Sequence, residues 1–380
     1  MLYKAYIVCF SLLGFVFATP LKRADGIVVS LVAAASSVDS LDDLKFTATV
    51  TNTGAEAVKI LKYGTVLDEK LPTKSLVVTK DGAPVSSTGI KLSVSLAEVD
   101  ESAFAAIAPG ESITVSHEGK DDPRFEILYR SDTDWLLLVG SLYDFASSGV
   151  GKYTFQPITN FIFADAAEGV PAVTNIIKAQ AATNSVEVEI KGGLHMRELK
   201  KLDARARDIC TTASKKSFID ATFTEAKSLA SISSSYISSR GSADALYKAY
   251  FGTTATSRVT SILNAVANEN SSSRTLSCID SLGACSSGVI AYTATSTTNV
   301  YFCSIFFDEV ATSRLCSGTF VASRNVRGGT TLHELTHAVG GTDDVTYGCS
   351  ADQGLSNANK AINSDNYNCF TTQVYANTRC

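Results

Sequence analysis

The sequence predicts two folds in one chain: an antiparallel β-sandwich in the N-terminal half and a mainly α-helical domain with a small β-sheet in the C-terminal half. All seven prolines lie within the first 171 residues, whereas eight of the nine cysteines lie at position 210 or later. The N-terminal half also alternates apolar and polar residues, whereas the C-terminal half has helical spacing. With 380 residues, 45% of them hydrophobic, the chain can form two cores, and its net charge of −5 excludes a strongly basic nucleic-acid-binding protein.

The first predicted element is a signal peptide at residues 1–18. Lys4 gives it a short basic start, residues 5–17 are an apolar run too short to span a bilayer, and Ala18 ends a small-x-small cleavage motif. No later segment has 18 continuous apolar residues, so we expect a secreted, extracellular protein without a membrane-spanning helix. Cleavage removes Cys9 and leaves eight cysteines, an even number that predicts four disulfides in an exported chain.

Residues 19–205 are predicted to form the all-β sandwich. Its strand-like runs alternate apolar and polar side chains and are rich in β-branched residues. The clearest of these runs are residues 26–32, 44–54 and 112–117. A basic segment at residues 197–207, which contains Lys200 and Lys201, follows the last strand-like run. Because it separates a cysteine-free part from a cysteine-rich part of an exported chain, it predicts a proteolytic processing site.

Residues 206–380 are predicted to form the second domain. Residues 217–236 and 242–268 have helical spacing, many Ala, Ser and Leu residues and no proline. Two β-rich runs follow at residues 289–292 and 300–307, and a further helix comes after them.

This further helix contains the pattern His-Glu-x-x-His at residues 333–337. Residues i and i+4 lie on the same helix face, so His333 and His337 can both present a ring nitrogen to one tetrahedral metal ion. Glu334 lies beside the first histidine, where a carboxylate can take a proton from a water molecule at the metal. The pattern therefore predicts a catalytic zinc site with Glu334 as its base.

A catalytic zinc site needs a third protein ligand and an open position. No histidine follows His337, no glutamate follows Glu334, and the cysteines are expected in disulfides, so an aspartate is the expected third ligand. Gly340 and Gly341 are expected to end the helix and to return the chain toward the metal. The candidate aspartates after this turn are Asp343, Asp344, Asp352 and Asp365.

The helix pattern and residues 341–348 together resemble the deuterolysin family of fungal zinc metalloendopeptidases, the aspzincins. The pattern of that family is His-Glu-x-x-His followed by Gly-Thr-x-Asp-x-x-Tyr-Gly, and the similarity extends over roughly residues 208–380. The resemblance implies a zincin-like fold, one zinc ion per chain, and protein or peptide substrates, with basic proteins among them. It also implies that the N-terminal half is the propeptide of a preproenzyme and is removed near the basic segment.

The resemblance also implies a role for each residue of the motif. His333, His337 and Asp344 correspond to the zinc ligands of the family. Glu334 corresponds to the general base and Tyr347 to a hydrogen-bond donor that stabilises the transition state.

Two positions after the motif also bear on the site. Asp365 stands where the family has an aspartate near the zinc helix, and such a carboxylate can hold a ligand imidazole in one tautomer. Asn368 stands where the lysine-preferring members have an acidic residue. Because an amide cannot supply the charge that a buried ammonium group needs, we expect no lysine requirement here.

The disulfide pairing is also taken from the resemblance. It implies three pairs, and the two cysteines that remain are expected to form the fourth. The expected pairs are Cys210–Cys278, Cys285–Cys303, Cys316–Cys380 and, by remainder, Cys349–Cys369.

Two other interpretations stay open. The spacing of residues 333–343 also fits a metzincin-like protease with Asp343 as third ligand, although that class needs a methionine after the helix and the only methionines are Met1 and Met196. The other interpretation is a secreted binding protein with an inactive protease domain, against which the intact His-Glu-x-x-His pattern argues. In either enzyme interpretation we expect a monomer that binds neither nucleic acid nor membranes.

Overall fold

The computed structural model describes residues 26–117, 142–164, 175–178, 185–194 and 208–380. We call residues 26–194 the N-terminal region and residues 208–380 the C-terminal region. The predicted signal peptide and the dibasic pair Lys200-Lys201 lie outside the described residues. None of the helices in the described ranges is long and apolar enough to cross a membrane.

The described residues of the N-terminal region form β-strands and short helical turns, in agreement with the predicted all-β structure. Its elements are β1 (Ile27–Ala33), β2 (Ser37–Val38), β3 (Phe46–Asn52), β4 (Val58–Leu61), β5 (Leu76–Lys80), β6 (Ala83–Pro84), β7 (Ile90–Val94), β8 (Phe104–Ile107), β9 (Ser112–His117), α1 (Phe145–Ser148), β10 (Gly151–Pro157), β11 (Asn160–Ala164), β12 (Asn175–Lys178) and β13 (Val186–Ile190). Twelve of these strands form three sheets with the orders β1-β3-β9, β2-β13-β10-β5-β6 and β12-β11-β4-β8. Every second side chain of β3 is buried, which is the alternation that its sequence predicts. The buried faces meet in one apolar core.

The C-terminal region is mainly helical. Its elements are β14 (Asp208–Ile209), α2 (Ala213–Arg240), α3 (Ala245–Phe251), α4 (Thr256–Ala267), β15 (Leu276–Ser277), β16 (Val289–Ala294), β17 (Asn299–Phe302), α5 (Arg327–Gly340), α6 (Cys349–Gly354), α7 (Asn357–Lys360) and α8 (Ser364–Arg379). The helical run expected at residues 242–268 is two helices, because α3 ends at Gly252. This glycine has a φ of +56°, and a Cβ added there would lie 1.9 Å from Asn357 Oδ1. A left-handed residue in such close contact must be glycine.

Helix α5 lies between a helical core and a sheet. On one side it packs against α2, α4 and α8, and on the other side against β16 and β17. The helical core contains Leu229, Leu263, Leu332 and Phe370, each fully buried. Because α5 is covered on both sides, its polar side chains are also buried.

The eight cysteines of the C-terminal region form four disulfides. The pairs are Cys210–Cys278, Cys285–Cys303 and Cys316–Cys380, which the family resemblance implies, and Cys349–Cys369, which was expected by remainder. The last two pairs attach α8 to the segment before α5 and to α6. They therefore hold together the segments that surround α5.

The two regions share one sheet, which the sequence did not predict. Strand β7 of the N-terminal region lies antiparallel to β16 and completes a sheet with the order β14-β15-β17-β16-β7. The cross-strand pairs are Ile90–Ala294, Lys91–Thr293, Leu92–Tyr292, Ser93–Ala291 and Val94–Val289. Apolar side chains of both regions, including Leu92, Val94, Tyr292 and Tyr347, form one buried cluster at this junction.

Candidate metal centre and active site

Helix α5 carries three of the predicted site residues. His333, Glu334 and His337 are all buried, and the two imidazole rings lie 4.8 Å apart, as the i, i+4 spacing predicts. The helix ends at Gly341, which has a φ of +61° and donates its N–H to the carbonyl of His337. This left-handed glycine turns the chain back across the histidines.

The returning chain brings Asp344 against both histidines. Its Oδ1 lies 3.0 Å from His333 Nε2 and 3.1 Å from His337 Nε2, and the two nitrogens are 3.2 Å apart. On the other side of its ring, His337 Nδ1 donates to the carbonyl of Thr342 at 2.9 Å. This bond leaves the Nε2 lone pair of His337 free to bind a metal ion.

Two other candidate aspartates have different partners. Asp343 forms ion pairs with Lys91 at 3.0 Å and Lys74 at 3.4 Å, both in the N-terminal region. Burial alone would raise the pKa of Asp343, but the two ammonium groups lower it. Asp352 is buried, and its Oδ1 accepts a hydrogen bond from Asn363 Nδ2 at 3.0 Å. Of these three aspartates, Asp344 is the one whose carboxylate lies against Nε2 of both histidines.

The three atoms fit the ligand set of a zinc ion. Ligand atoms about 2.0–2.1 Å from a tetrahedral zinc lie roughly 3.3 Å from one another, close to the 3.0–3.2 Å spacing here. The electrostatics agree with this geometry. Burial would lower the pKa of His333, but Asp344 and Asp365 raise it to about 10, so the site favours an added positive charge. Burial alone would also raise the pKa of Asp344, but the histidines hold it well below its usual range.

Glu334 is placed for proton transfer beside these ligands. Its Oε2 accepts a hydrogen bond from Thr293 Oγ1 of β16 at 2.6 Å. Its Oε1 is buried and has no hydrogen-bond partner in the described part of the chain. Burial raises the pKa of Glu334 to about 8, although His333 and Thr293 lower it in part. A buried carboxylate oxygen without a partner, next to a metal-ligand set, is suited to accept a proton from water.

Tyr347 and a backbone group of the N-terminal region lie beside His333 and Asp344. The Tyr347 hydroxyl donates to the carbonyl oxygen of Leu92 at 3.0 Å, and this oxygen is 3.2 Å from His333 Nε2. The N–H of Leu92 donates to Asp344 Oδ2 at 2.8 Å. Burial raises the pKa of Tyr347 well above its usual value, so its hydroxyl remains a donor.

Asp365 connects the ligand histidine to Arg324. Its Oδ1 lies 3.6 Å from His333 Nδ1 and accepts two hydrogen bonds from Arg324, at 3.0 Å from Nε and 2.7 Å from Nη2. Its Oδ2 accepts from the N–H of Gly348 at 2.7 Å. Burial alone would raise the pKa of Asp365, but Arg324, His333 and Gly348 lower it to about 2. Asp365 therefore lies near the His333 ring, although at 3.6 Å its carboxylate does not form a hydrogen bond with Nδ1.

Sequence reasoning missed three contributors to this site: Leu92, Thr293 and Arg324. Thr293 lies one residue beyond a segment that the sequence analysis marked as β-rich, and strand alternation could have indicated its direction. Arg324 follows a short turn with a φ of +49°, and no motif marks it. Leu92 lies in an ordinary alternating strand, so no local signal indicates its contact with the histidines.

Comparison with known proteins gives the family. A sequence model of the aspzincin family, described as lysine-specific metallo-endopeptidase, matches residues 236–372. A neutral protease 2 homolog of Phaeosphaeria nodorum is 31% identical over 352 residues, which are 90% of this chain and 91% of the relative. The peptidyl-Lys metalloendopeptidase of Armillaria mellea is 27% identical over 93% of both chains, and penicillolysin of Penicillium citrinum is 28% identical over 89% of this chain and 90% of the relative.

Among solved structures, the zinc peptidase from Grifola frondosa matches with a TM-score of 0.35 and 26% identity, covering 43% of this chain and 96% of that one. The aspzincin resemblance that the zinc-helix motif indicated is confirmed by the sequence comparisons. The chain belongs to the aspzincin family and is a metalloendopeptidase.

Proposed function

We propose that this chain is a secreted zinc endopeptidase in which His333, His337 and Asp344 hold one zinc ion. The observation that carries the proposal is the close approach of three ligand atoms, 3.0–3.2 Å apart, beside the unpaired buried Oε1 of Glu334. The ion pairs of Asp343 with two lysines argue against the metzincin-like ligand set.

The mechanism that we propose gives separate roles to three residues beside the zinc ligands. A zinc ion at this site supplies a Lewis acid that polarises the substrate carbonyl and makes a water molecule more acidic. Glu334 accepts the proton of the attacking water and passes it to the leaving amine, for which a pKa raised by burial is suited. Tyr347 donates a hydrogen bond from its hydroxyl to the oxyanion and keeps its proton, and Asp365 holds His333 in the orientation that binds metal.

The N-terminal region is the proposed propeptide of a preproenzyme. Residues 1–18 would be removed on secretion and residues 19–205 at the basic segment, which leaves a monomeric enzyme of residues 206–380. The cysteines support this division, because every cysteine after the signal peptide lies in the C-terminal region. Protein or peptide substrates, basic proteins among them, follow from the family.

A zinc assay combined with casein hydrolysis tests this function. We expect zinc in the purified secreted protein, hydrolysis that a zinc chelator abolishes, and recovery when zinc is added back. A protein that holds no zinc and leaves casein intact would instead be the inactive binding protein that the sequence left open. Mass spectrometry of the same preparation gives the N-terminus of the secreted form.

A lysine requirement is not part of the proposal, although two similar proteins are named peptidyl-Lys metalloendopeptidases. Asn368 is buried on α8 and lies against α5, where a Cβ on Gly329 would be 2.3 Å from its Oδ1. The amide at this position brings no charge to a substrate lysine.

Cleavage of a mixed peptide library should therefore show no strong requirement for lysine after the scissile bond. The matched variant is Asn368→Asp, which keeps the shape of the side chain and adds the charge, and it should increase the fraction of cuts before lysine. A dominant lysine requirement in the parent enzyme would show that Asn368 does not decide specificity.

A further inference from the structure

The backbone N–H and C=O groups of β7 point alternately toward β16 and toward the candidate active site. Flanking β7, Ser95 donates its N–H to Gly288 at 2.8 Å and Gly89 accepts from the N–H of Thr295 at 2.9 Å, so odd-numbered residues face β16. Even-numbered residues therefore direct their backbone groups the other way. At Leu92 these groups meet Asp344, Tyr347 and His333.

The next even-numbered residue also binds a side chain of the C-terminal region. The carbonyl of Val94 accepts a hydrogen bond from Arg324 Nη1 at 3.0 Å. The other two donor atoms of this guanidinium are bound to buried Asp365. The ion pair therefore fixes the orientation of the Arg324 guanidinium, so that Nη1 points at β7.

The side chains of β7 have a defined direction as well. Thr293 donates its hydroxyl to Glu334, so its face of the shared sheet is turned toward α5. Lys91 is the cross-strand partner of Thr293, and cross-strand partners share a face. Ser93, two residues further along, points the same way. The side chain that follows the Leu92 carbonyl therefore faces the helix that carries the candidate base.

We propose that β7 lies in the substrate channel in the register of a bound substrate, with the Leu92–Ser93 peptide bond at the reacting centre and with Arg324 as a residue that binds the main chain of substrates. An extended peptide would take the place of β7 beside β16, pairing with it as an added strand. Arg324 would then donate to the carbonyl of the second residue after the scissile bond. The N-terminal region blocks the channel until it is displaced.

This inference rests on the proposed function, and its first test separates the two. A synthetic peptide of residues 87–98 is incubated with a secreted preparation that contains zinc and hydrolyses casein. Mass spectrometry should find the main cut between Leu92 and Ser93, and the chelator should abolish it. A main cut at another bond, or an uncut peptide, overturns the register. A preparation without zinc and without casein hydrolysis instead contradicts the proposed function.

A binding experiment tests the occupied channel without catalysis. The intact chain with Glu334→Gln should not bind a fluorescent peptide of residues 87–98, because β7 fills the channel. Adding Lys91→Glu places a carboxylate against Asp343 and should release the strand, so the peptide binds. The control adds Val32→Glu instead, an apolar-to-acidic change at a side chain that is 59% exposed on β1, and should not bind. Equal binding by the chains with and without Lys91→Glu overturns the inference.

The role of Arg324 is tested with two peptides that differ in one carbonyl. In the second peptide, the second residue after the scissile bond is replaced by its amine analogue, which keeps the side chain and loses the carbonyl. In the parent enzyme kcat/KM should fall by about tenfold, mainly through KM, since a charge-assisted hydrogen bond is lost. In Arg324→Lys, which keeps the charge beside Asp365, the kcat/KM values of the two peptides should differ far less. If Arg324 only supports Asp365, this variant lowers kcat/KM equally for both peptides. The tenfold difference between them then persists, which overturns the assignment.

Discussion

The two regions of this chain are stabilised by different means. The N-terminal region buries apolar side chains from three sheets and has no cysteine after the signal peptide. The C-terminal region also buries many polar side chains of α5 and α8, including His333, Glu334 and Asp365. Burying polar groups lowers stability unless they are paired, and the four disulfides of this region act in the opposite direction. The buried polar site and the disulfides therefore occur in the same region of the chain.

The two regions meet at the clustered histidines and carboxylates of the candidate active site. The N-terminal region contributes the backbone of β7 and the ammonium groups of Lys74 and Lys91, whereas the C-terminal region contributes the histidines, Glu334 and the neighbouring aspartates. Asp343 and Asp344 are adjacent in sequence, yet the first pairs with the N-terminal region and the second with the histidines.

The largest effect is expected from the two aspartates. Asp344→Ala should abolish tight zinc binding and activity, because it removes one of three ligand atoms. Asp343→Ala should keep most of both and weaken only the contact with the N-terminal region. The measurement is zinc content after dialysis, together with casein hydrolysis by the processed enzyme. If Asp343→Ala loses the metal and Asp344→Ala keeps it, the ligand set is metzincin-like.

The second effect concerns the base. Glu334→Gln should retain zinc, because the carboxylate is not among the three clustered ligand atoms, and should lower activity by at least about 10²-fold. The matched control is Glu269→Gln, which changes a buried carboxylate paired with Arg274 away from α5 and should leave turnover unchanged. Near-parental turnover in Glu334→Gln would remove this residue from the mechanism.

The third effect separates the stabilities of the regions. Reduction should destabilise the C-terminal region, since each disulfide contributes about 2–4 kcal/mol, and should leave the sheets around β3 and β10 unchanged. Urea unfolding with and without reductant, followed by pulsed hydrogen exchange and mass spectrometry, reports each region separately. An equal loss in both regions would show that they unfold as one cooperative unit.

The parts of the fold that were predictable depend on local patterns. Alternation marked β1, β3 and β9, and the i, i+4 spacing of His333 and His337 marked α5, because both periods are set by backbone geometry. The position of Asp344 at the histidines was accessible through the motif and through the left-handed Gly341 before it. The break between α3 and α4 was missed because the contact of Gly252 with Asn357 is distant in sequence.

The junction of the regions was not predictable from local pattern. The sequence of strand β7 resembles that of the other strands of the N-terminal half, and its partner β16 lies about 200 residues away in sequence. Which strands pair depends on tertiary packing rather than on strand propensity. For the same reason Arg324, whose contacts are with Asp365 and Val94, carries no signal in the sequence around it.

The smallest effect that we predict is on the pH dependence of stability, to which one buried carboxyl group in each region contributes. Burial raises the pKa of Asp68 in the N-terminal region to about 6 and that of Glu309 in the C-terminal region to about 8. A carboxyl with a raised folded-state pKa stabilises the fold fully below its unfolded value, near pH 4, and this stability is lost as the pH rises through the folded value. The Asp68 contribution is therefore lost by about pH 6, whereas the Glu309 contribution continues to fall until about pH 8, by at most about 1.4 kcal/mol per pH unit.

Between pH 6.5 and 8, urea midpoints from hydrogen-exchange pulses at one fixed pH should fall for the C-terminal region and stay level for the N-terminal region. Glu309→Gln should make the slope shallower, because an amide does not titrate and can still accept the hydrogen bond that Thr330 donates to Oε1 at 2.8 Å. The slope that remains belongs to Glu334, whose pKa burial also raises to about 8. Asp68→Asn is the matched change in the other region and should leave the slope of the C-terminal region intact. An unchanged slope in Glu309→Gln would show that Glu309 does not contribute to the pH dependence and would assign it to Glu334 or another group of α5 and its neighbours.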